Sequence, residues 1–532
     1  MDRKSFINYL LERGMLVSPN FIEKLSGDFD YSLFCGWLES QNGVYRSLIL
    51  SGEIILDVYK NSFASELVDN PVNNIDNLDN GVGTQLVSVE KQNQDIKSVD
   101  KHNVEIIFSY EENMKKREVG DFVSYFKNRY NSLRRILSSR QELQDSVSII
   151  RLVKKQEREV VSIIGLVLNK EETKNGNIKF VLEDTSGIFN ILVTKNKQEI
   201  YQIAKDIVLD EVIGIRGVMG KNIVFCNNIY FPEIPITHEL KKSPDEVYAV
   251  FISDIHFGSK NFLADDFMKF ILWLKGEYGS EQQRDVASKV GYLFVVGDVV
   301  EGVGIYPGQE DDLEIKDIYK QYEEATRYFK MIPEHIKIIV CGGNHDAIRM
   351  SEPQPKFDKN ISKGFYDIPN MVLVSNPSFI NINSSQKFPG FDVLVYHGYS
   401  FPYFADNVSS IRDKGGIFRC DLIMKFLLQR RHLAPSHSST LYVPDNAKDS
   451  LVIEKVPDIF VSGHIHQIVA TNYRNVTMIN SSCWVIQSED QAKRGIVPHP
   501  GKIPIINLKT REVKLMNFLD SDVKVLLSER VS

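Results

Sequence analysis

Val296-Gly-Asp-Val-Val-Glu-Gly302 decides the reading of this 532-residue chain. The apolar run Tyr292 to Val296 stops at a glycine, and the next residue, Asp298, is acidic. A buried parallel strand ends this way, delivering a carboxylate to its carboxyl end, where open α/β sheets gather ligands. Four further stretches place metal-type ligands directly after an apolar run: Ser253-Asp254-Ile255-His256, Gly343-Asn344-His345-Asp346, Tyr396-His397-Gly398 and Gly463-His464-Ile465-His466. Five of the chain's eleven histidines fall in these segments.

Taken singly, the stretches have ordinary explanations. Asp-x-His occurs as a helix cap or beside a satisfied core histidine, and Gly-Asn-His-Asp reads equally well as a glycine-rich turn with Asx bonds. Asp265 and Asp266 read as surface residues of a first helical turn. The ordered set is different, because unrelated turns do not supply Asp, His, Asp, Asn, His and His-x-His at successive strand ends. Two residues apart in extended chain, Asp254 and His256 share a face, and so do His464 and His466. Two divalent ions about 3.5 to 4 Å apart need a shared anion, which suits Asp298. Mixed oxygen and imidazole donors favour manganese, iron, zinc or nickel over magnesium or calcium alone.

From Glu246 onward apolar strands alternate with helical patterns, which predicts α/β layers over residues 241–532. Before it, residues 158–240 hold five short β-rich runs separated by turn signals such as Asn175-Gly176 and Ser186-Gly187, with a helical insert from Lys197 to Ala204. That pattern predicts an OB-type barrel. Base-stacking aromatics are sparse in it, so partner binding or scaffolding is its expected use. Residues 104–157 read as a basic helical segment: from Lys115 to Arg158 twelve Lys or Arg stand against five Asp or Glu. Phe122, Phe126, Tyr130, Leu133 and Leu137 follow one helical face, leaving Lys127, Arg129, Arg134, Arg135 and Arg140 mostly elsewhere, either as a solvated surface or for phosphate contact. Residues 1–65 carry helical spacing and predict a small helical domain. Residues 66–103 include a twelve-residue run, Asp69 to Asn80, with eight Asn or Asp, and read as a flexible linker.

The formal charge of −7 argues against a uniformly basic nucleic-acid-coating protein. Five scattered cysteines without a Cys-x-x-Cys pair suggest neither a zinc ribbon nor a disulfide framework. No run of 18 apolar residues occurs, and the opening Met1-Asp-Arg-Lys-Ser lacks a signal-peptide pattern. An intracellular protein without membrane contact is expected.

The order of ligands resembles the calcineurin-like metallophosphoesterase superfamily. Gly302-Val-Gly-Ile-Tyr-Pro-Gly-Gln-Glu310 narrows this, being similar to the sequence at that position in the small subunits of archaeal family D DNA polymerases. Arg431-His-Leu-Ala-Pro435, Leu451-Val-Ile-Glu-Lys-Val-Pro-Asp458 and Gly501-Lys-Ile-Pro-Ile505 extend the likeness, which covers residues 105–532. The resemblance implies an OB-type β-barrel followed by an α/β metallophosphoesterase sandwich domain, with a small N-terminal helical domain. One of two divalent ions, manganese before iron, zinc or nickel, would be held by Asp254, His256, Asp298 and His466, the other by Asp298, Asn344, His397 and His464. His345 would protonate the leaving oxygen or stabilise the charged transition state, with Asp346 orienting its ring. Glu301, an Asp in many members, would stand behind the ligands.

The implied activity is a 3′ to 5′ proofreading exonuclease acting on single-stranded or mispaired DNA ends. Its partners would be the large catalytic polymerase subunit and, through the holoenzyme, a sliding clamp, all in the cytoplasm at the nucleoid. Two other readings stay open: a catalytically vestigial scaffold for the large subunit, and a free-standing phosphatase or cyclic-nucleotide phosphodiesterase. Arg430 and Arg431, beside His432, are candidates for DNA contact or for a partner-facing surface.

Overall fold

In the computed structural model, which describes Ser32, residues 102–111, 116–445, 447–488, 491, 492 and 495–519 and the strand Lys524–Leu527, the first extended element is a strand where a helical segment was expected. This strand, β1 (Val104–Ser109), exposes Ile106 and Ile107 and carries no turn signals. The expected N-terminal helical domain and nearly all of the Asn/Asp-rich linker lie outside the described residues. The last two linker residues, His102 and Asn103, are packed: the His102 ring meets Tyr292 edge-on at 5.5 Å, and the Tyr292 hydroxyl donates to the Asn103 carbonyl at 3.2 Å.

The helix α1 (Val119–Ser138) buries Tyr125, Arg129, Tyr130, Leu133 and Leu137. Phe122 is exposed and Arg129 is buried, which reverses both expectations; Lys127, Arg134 and Arg135 do face solvent. Arg129 is buried beside a carboxylate, a carbonyl and three aromatic rings. Its Nε donates to Asp449 Oδ2 at 2.8 Å, the guanidinium lies over Tyr125, Phe126 and Tyr442, and His432 Nε2 meets the same carboxylate oxygen at 2.9 Å. Burial opposes ionisation of Asp449, but Arg129 and His432 outweigh it and hold the carboxyl well below its usual range.

Five strands then close into a barrel: β2 (Val160–Glu172), β3 (Ile178–Asp184), β4 (Gly187–Val193), β5 (Val212–Gly220) and β6 (Ile223–Tyr230), in the order β2-β3-β4-β6-β5. The β4–β6 pair is parallel and the other four are antiparallel. A helix, α2 (Gln198–Lys205), stands between β4 and β5. Ile163, Val167, Phe180, Leu182, Ile191, Ile213 and Ile215 fill the interior, so the alternating apolar residues converge on one core and no sheet edge is left open.

The remainder is a sandwich of two sheets with helices outside. Its first part contains β7 (Tyr248–Ile252), α3 (Ala264–Leu274), β8 (Val290–Val296), α4 (Ile318–Phe329), β9 (Lys337–Cys341) and β10 (Met371–Leu373). There follow β11 (Ser378–Ile382), β12 (Phe391–Val395), α5 (Cys420–Arg430), β13 (Ile459–Ser462), β14 (Val469–Tyr473), β15 (Val476–Asn480), β16 (Lys502–Asn507), β17 (Val513–Asn517) and β18 (Lys524–Leu527). One sheet runs β10-β9-β8-β7-β16-β17-β18, and the other β1-β11-β12-β13-β15-β14. Neighbours from β10 to β7 are parallel, as are β12, β13 and β15. Ala249, Phe251, Tyr292 and Phe294 face Ile380, Val393, Val395 and Val461 between the sheets. On the outer side of the first sheet Val250, Ile252 and Leu293 meet Phe267, Phe270 and Phe329, while Ile423 and Leu427 of α5 cover the second. Burial on both faces explains why these strands read as continuous apolar runs.

Arg430 and Arg431, considered for DNA contact, are interior residues. The Arg430 guanidinium is sandwiched between the rings of Phe231 and Phe426, with the Glu211 carboxylate 3.4 Å away. Arg431 takes a left-handed backbone conformation that ends α5, and donates to the carbonyls of Ile453 at 2.7 Å and Glu454 at 2.6 Å. Both are buried, so neither presents its charge at the surface for a DNA backbone. Among the described residues no helix is long and apolar enough to cross a membrane.

Removing Asp449 leaves Arg129 charged and buried without its counter-ion. Asp449→Ala is expected to destabilise the fold by about 3–5 kcal/mol, read as a lowered unfolding midpoint in urea; a loss below about 1 kcal/mol would show that the pair contributes no more than a surface ion pair.

Candidate metal centre

Because β7, β8 and β9 are parallel in one sheet and β12 and β13 in the other, their carboxyl ends bring five turns together at one edge of the sandwich. The turns are bonded to one another before any side chain is considered. Asp254 N donates to Gly297 O at 3.0 Å, and Ile255 N and His256 N both donate to Asp298 O, at 2.9 and 3.1 Å. Asp254, His256, Asp298, His464 and His466 all have φ between +49° and +69°. Left-handed backbone costs a non-glycine residue about 1–3 kcal/mol and collects at functional sites. Two glycines make room. Gly297 has φ of +80°, and a Cβ there would collide with the His397 ring; a Cβ at Gly343 would collide with Asp298 Oδ1.

Asp298, buried, lies in the middle. Its Oδ1 accepts from His345 N at 2.8 Å, and Oδ2 is 3.3 Å from His397 Nε2 and 3.9 Å from His256 Nε2. Asp254 accepts from His464 N at 2.9 Å and lies 3.2 Å from His466 Nε2. Asn344 Oδ1 is 3.1 Å from His397 Nε2.

The far side of three imidazoles faces an acceptor, through a hydrogen bond for His397 and His345 and through an ion-pair approach for His256, which turns Nε2 of each inward. His397 Nδ1 donates to Val296 O at 2.8 Å and His345 Nδ1 to Glu301 O at 2.9 Å. His256 Nδ1 lies 3.0 Å from Glu301 Oε2. Each ring is thereby left with Nε2 as the atom offered to the centre, the arrangement found behind metal-ligating histidines. Glu301 thus supports two rings from behind, one through its carbonyl and one through its carboxylate.

Asp346 is placed differently from expectation. Its carboxylate does not touch the His345 ring; it accepts from the backbone N–H groups of Gly343 at 2.8 Å and of Val299 and Val300 at 3.2 Å. Those bonds clamp the β8 and β9 turns together, while the ring is oriented by Glu301. Burial and the Asp298 charge push the Asp346 carboxyl up to about 7.

The electrostatics are those of a cation site. Burial opposes ionisation of Asp298, but His397 and His345 outweigh it and hold the carboxyl well below its usual range. Burial likewise opposes the charged form of His397, yet Asp298 leaves it pushed up to about 9. Burial, then His397, push His464 down to about 3. Ligand-capable atoms of Asp254, His256 and His466, of His256, Asp298 and His345, and of Asp298, His397 and His464 lie within 4.8 Å of one another in each set. His256 Nε2 and His466 Nε2 face each other at 3.4 Å. Carboxylate and imidazole donors gathered this closely fit divalent transition ions. Asp298 belongs to two of the three sets, so it is the carboxylate two ions would share. Every residue singled out as a ligand is therefore in the centre, whereas Arg430 and Arg431 are not. Glu301's grip on His256 went beyond what its position in the chain disclosed.

The calcineurin-like phosphoesterase family model matches residues 248–468. The chain is 39% identical over 401 residues to the DNA polymerase II small subunit of Methanothermobacter thermautotrophicus, covering 75% of this chain and 80% of that one. It is 40% identical over 387 residues to that of Archaeoglobus fulgidus, covering 73% and 75%. The match to that of Pyrococcus furiosus, 38% identical, covers 75% of this chain and 63% of the relative.

Two outcomes follow from the geometry. His397 holds a proton below about pH 9 in the metal-free protein, and a ligating imidazole must release it. Manganese affinity should therefore rise from pH 6 to pH 8 with proton release, measured by calorimetry in buffers of different ionisation enthalpy; pH-independent binding without proton release would contradict the ligand role. Gly343→Ala, which removes no ligand, should weaken manganese binding at least about tenfold, equivalent to 1.4 kcal/mol, while circular dichroism stays unchanged.

Proposed function

The chain belongs to the family of DNA polymerase II small subunits and carries a calcineurin-like phosphoesterase domain, and from that premise we propose that it is the 3′ to 5′ exonuclease of a heteromeric archaeal DNA polymerase. The observation that carries this reading is the complete donor set: seven residues from five strand ends, none replaced by an inert side chain, with their ligand atoms turned to one point. A protein kept only as a scaffold has no need of five strained backbone positions and two back-bonded imidazoles at one sheet edge.

In this reading Asp254, His256, Asp298 and His466 hold one divalent ion, and Asp298, Asn344, His397 and His464 the second. Such ions supply charge neutralisation of a phosphodiester and lower the pKa of water at the site. Glu301 keeps His256 and His345 in the tautomers the site needs. His345, whose side chain is 18% exposed against 4% for His256 and 0% for His397, is partly open to solvent, as His464 is, and it gives a proton to the leaving oxygen. Asp346 holds the turns that carry Asp298 and His345 in register, so its effect on the reaction passes through them.

The closed barrel has the strand order and inserted helix of an OB-type fold, and we assign residues 158–240 to it and 241–532 to the nuclease domain. The substrate is a single-stranded or mispaired 3′ DNA end, and the partner is the large polymerase subunit. The metal is manganese in the first instance.

Asp298→Ala and His464→Ala should each lower manganese-dependent degradation of a 5′-labelled, 3′-mispaired primer by about 10³-fold or more, in line with loss of a centre that acts as a unit, while co-purification with the large subunit persists. Rates equal to those of the unaltered protein would sink the assignment, and an unaltered holoenzyme that degrades no 3′ end would leave the scaffold reading in its place.

A further inference from the structure

The loop Gly302–Glu310 leaves the centre after Glu301 and carries a single aromatic residue, Tyr306. Its ring lies beside His345, centroids 6.4 Å apart, and more than a third of the residue, 37%, is open to solvent. The backbone beneath it is fastened by two buried glutamines. Gln309 Oε1 accepts from Ile305 N at 2.9 Å and its Nε2 donates to Glu301 O at 3.1 Å. Gln321 Oε1 accepts from Gly302 N at 2.9 Å and its Nε2 donates to the carbonyls of Gly302 and Ile315, at 3.1 and 2.7 Å. The Tyr306 hydroxyl itself donates to Asp312 Oδ2 at 2.9 Å and reaches Glu301 Oε1 at 3.4 Å. The ring is thus tethered at its edge and contributes little to the core. At the opposite end of the centre Tyr399, half-buried, stands 5.7 Å from the His464 ring.

Rigidly held, partly open aromatic rings beside a site for backbone phosphate are what proteins use to hold single strands, because every base offers a π face. We propose that Tyr306 and Tyr399 bracket the scissile phosphodiester, Tyr306 stacking on the base of the penultimate nucleotide and Tyr399 on that of the terminal one. The proposal rests on the exonuclease reading. Its polarity follows from bond changes. Release of a 5′-mononucleotide forms a bond from a water oxygen to phosphorus, with the water's proton lost to solvent, and breaks the bond from phosphorus to O3′. The electron pair leaves on O3′ of the penultimate nucleotide, which takes up the proton given by His345. The nucleotide bearing that oxygen therefore lies on the His345 side, where Tyr306 stands.

The test uses the full chain with a 3′ single strand carrying 2-aminopurine at the penultimate position, binding being read by fluorescence in EDTA so that turnover does not intrude. Emission should be quenched on binding to the unaltered protein and to Tyr306→Phe, but not to Tyr306→Leu. In manganese, Tyr306→Leu should lower kcat/KM on the strand about tenfold more than on bis(p-nitrophenyl) phosphate, and an abasic penultimate position should erase that difference. Tyr399→Leu should do the same for a terminal abasic site. Unchanged quenching, or an equal loss on the abasic strand, overturns the platform while leaving the nuclease reading intact. An unaltered protein that hydrolyses the small diester but no strand overturns both.

Discussion

A carboxylate buried among imidazoles is the constraint on which the sandwich depends. Taking Asp298 out of water costs several kcal/mol unless its lone pairs are met, and here they are met by a backbone N–H from the β9 turn and by the His397 ring from the β12 turn. Those donors come from both sheets. The sheets must therefore keep their spacing to within a fraction of an ångström, which the close-packed layer of Phe251, Phe294, Val395 and Val461 provides. The same requirement explains the glycines at 297 and 343, where any side chain would push the turns apart.

Much of this was legible in the chain because a doubly covered parallel strand writes itself as an unbroken apolar run and its ligand follows at once. The barrel was legible for another reason, since Asn-Gly and Ser-Gly turns punctuate short alternating strands. What escaped was tertiary. Nothing local in Val104–Ser109 announces pairing with Ser378–Ile382, more than 260 residues away in sequence. Arg129, Arg430 and Arg431 looked like surface cations because their partners, Asp449, Glu211 and the carbonyls of Ile453 and Glu454, come from distant segments. Asp346 follows His345 directly and so suggested itself as the ring's partner, yet its side chain points back into three backbone N–H groups.

Glu301 shows how one residue can join two functions in one place. Its carbonyl fixes His345 and its carboxylate reaches His256. The price of this economy is that the turn from Asp298 to Glu301 cannot be altered in part, since Asp346, Gln309 and Tyr306 all bond to it.

The strand β1 has a consequence for how the chain is divided. It precedes the barrel in sequence but forms the edge of the six-stranded sheet beyond it, with His102 and Asn103 anchored on Tyr292 of the other sheet. Topologically the barrel is thus an insertion between two pieces of one sandwich, not a bead strung ahead of it. A genetic cut between barrel and sandwich would bare the β11 edge, and a recombination event that exchanged the barrel alone would have to enter and leave the chain inside the same folding unit.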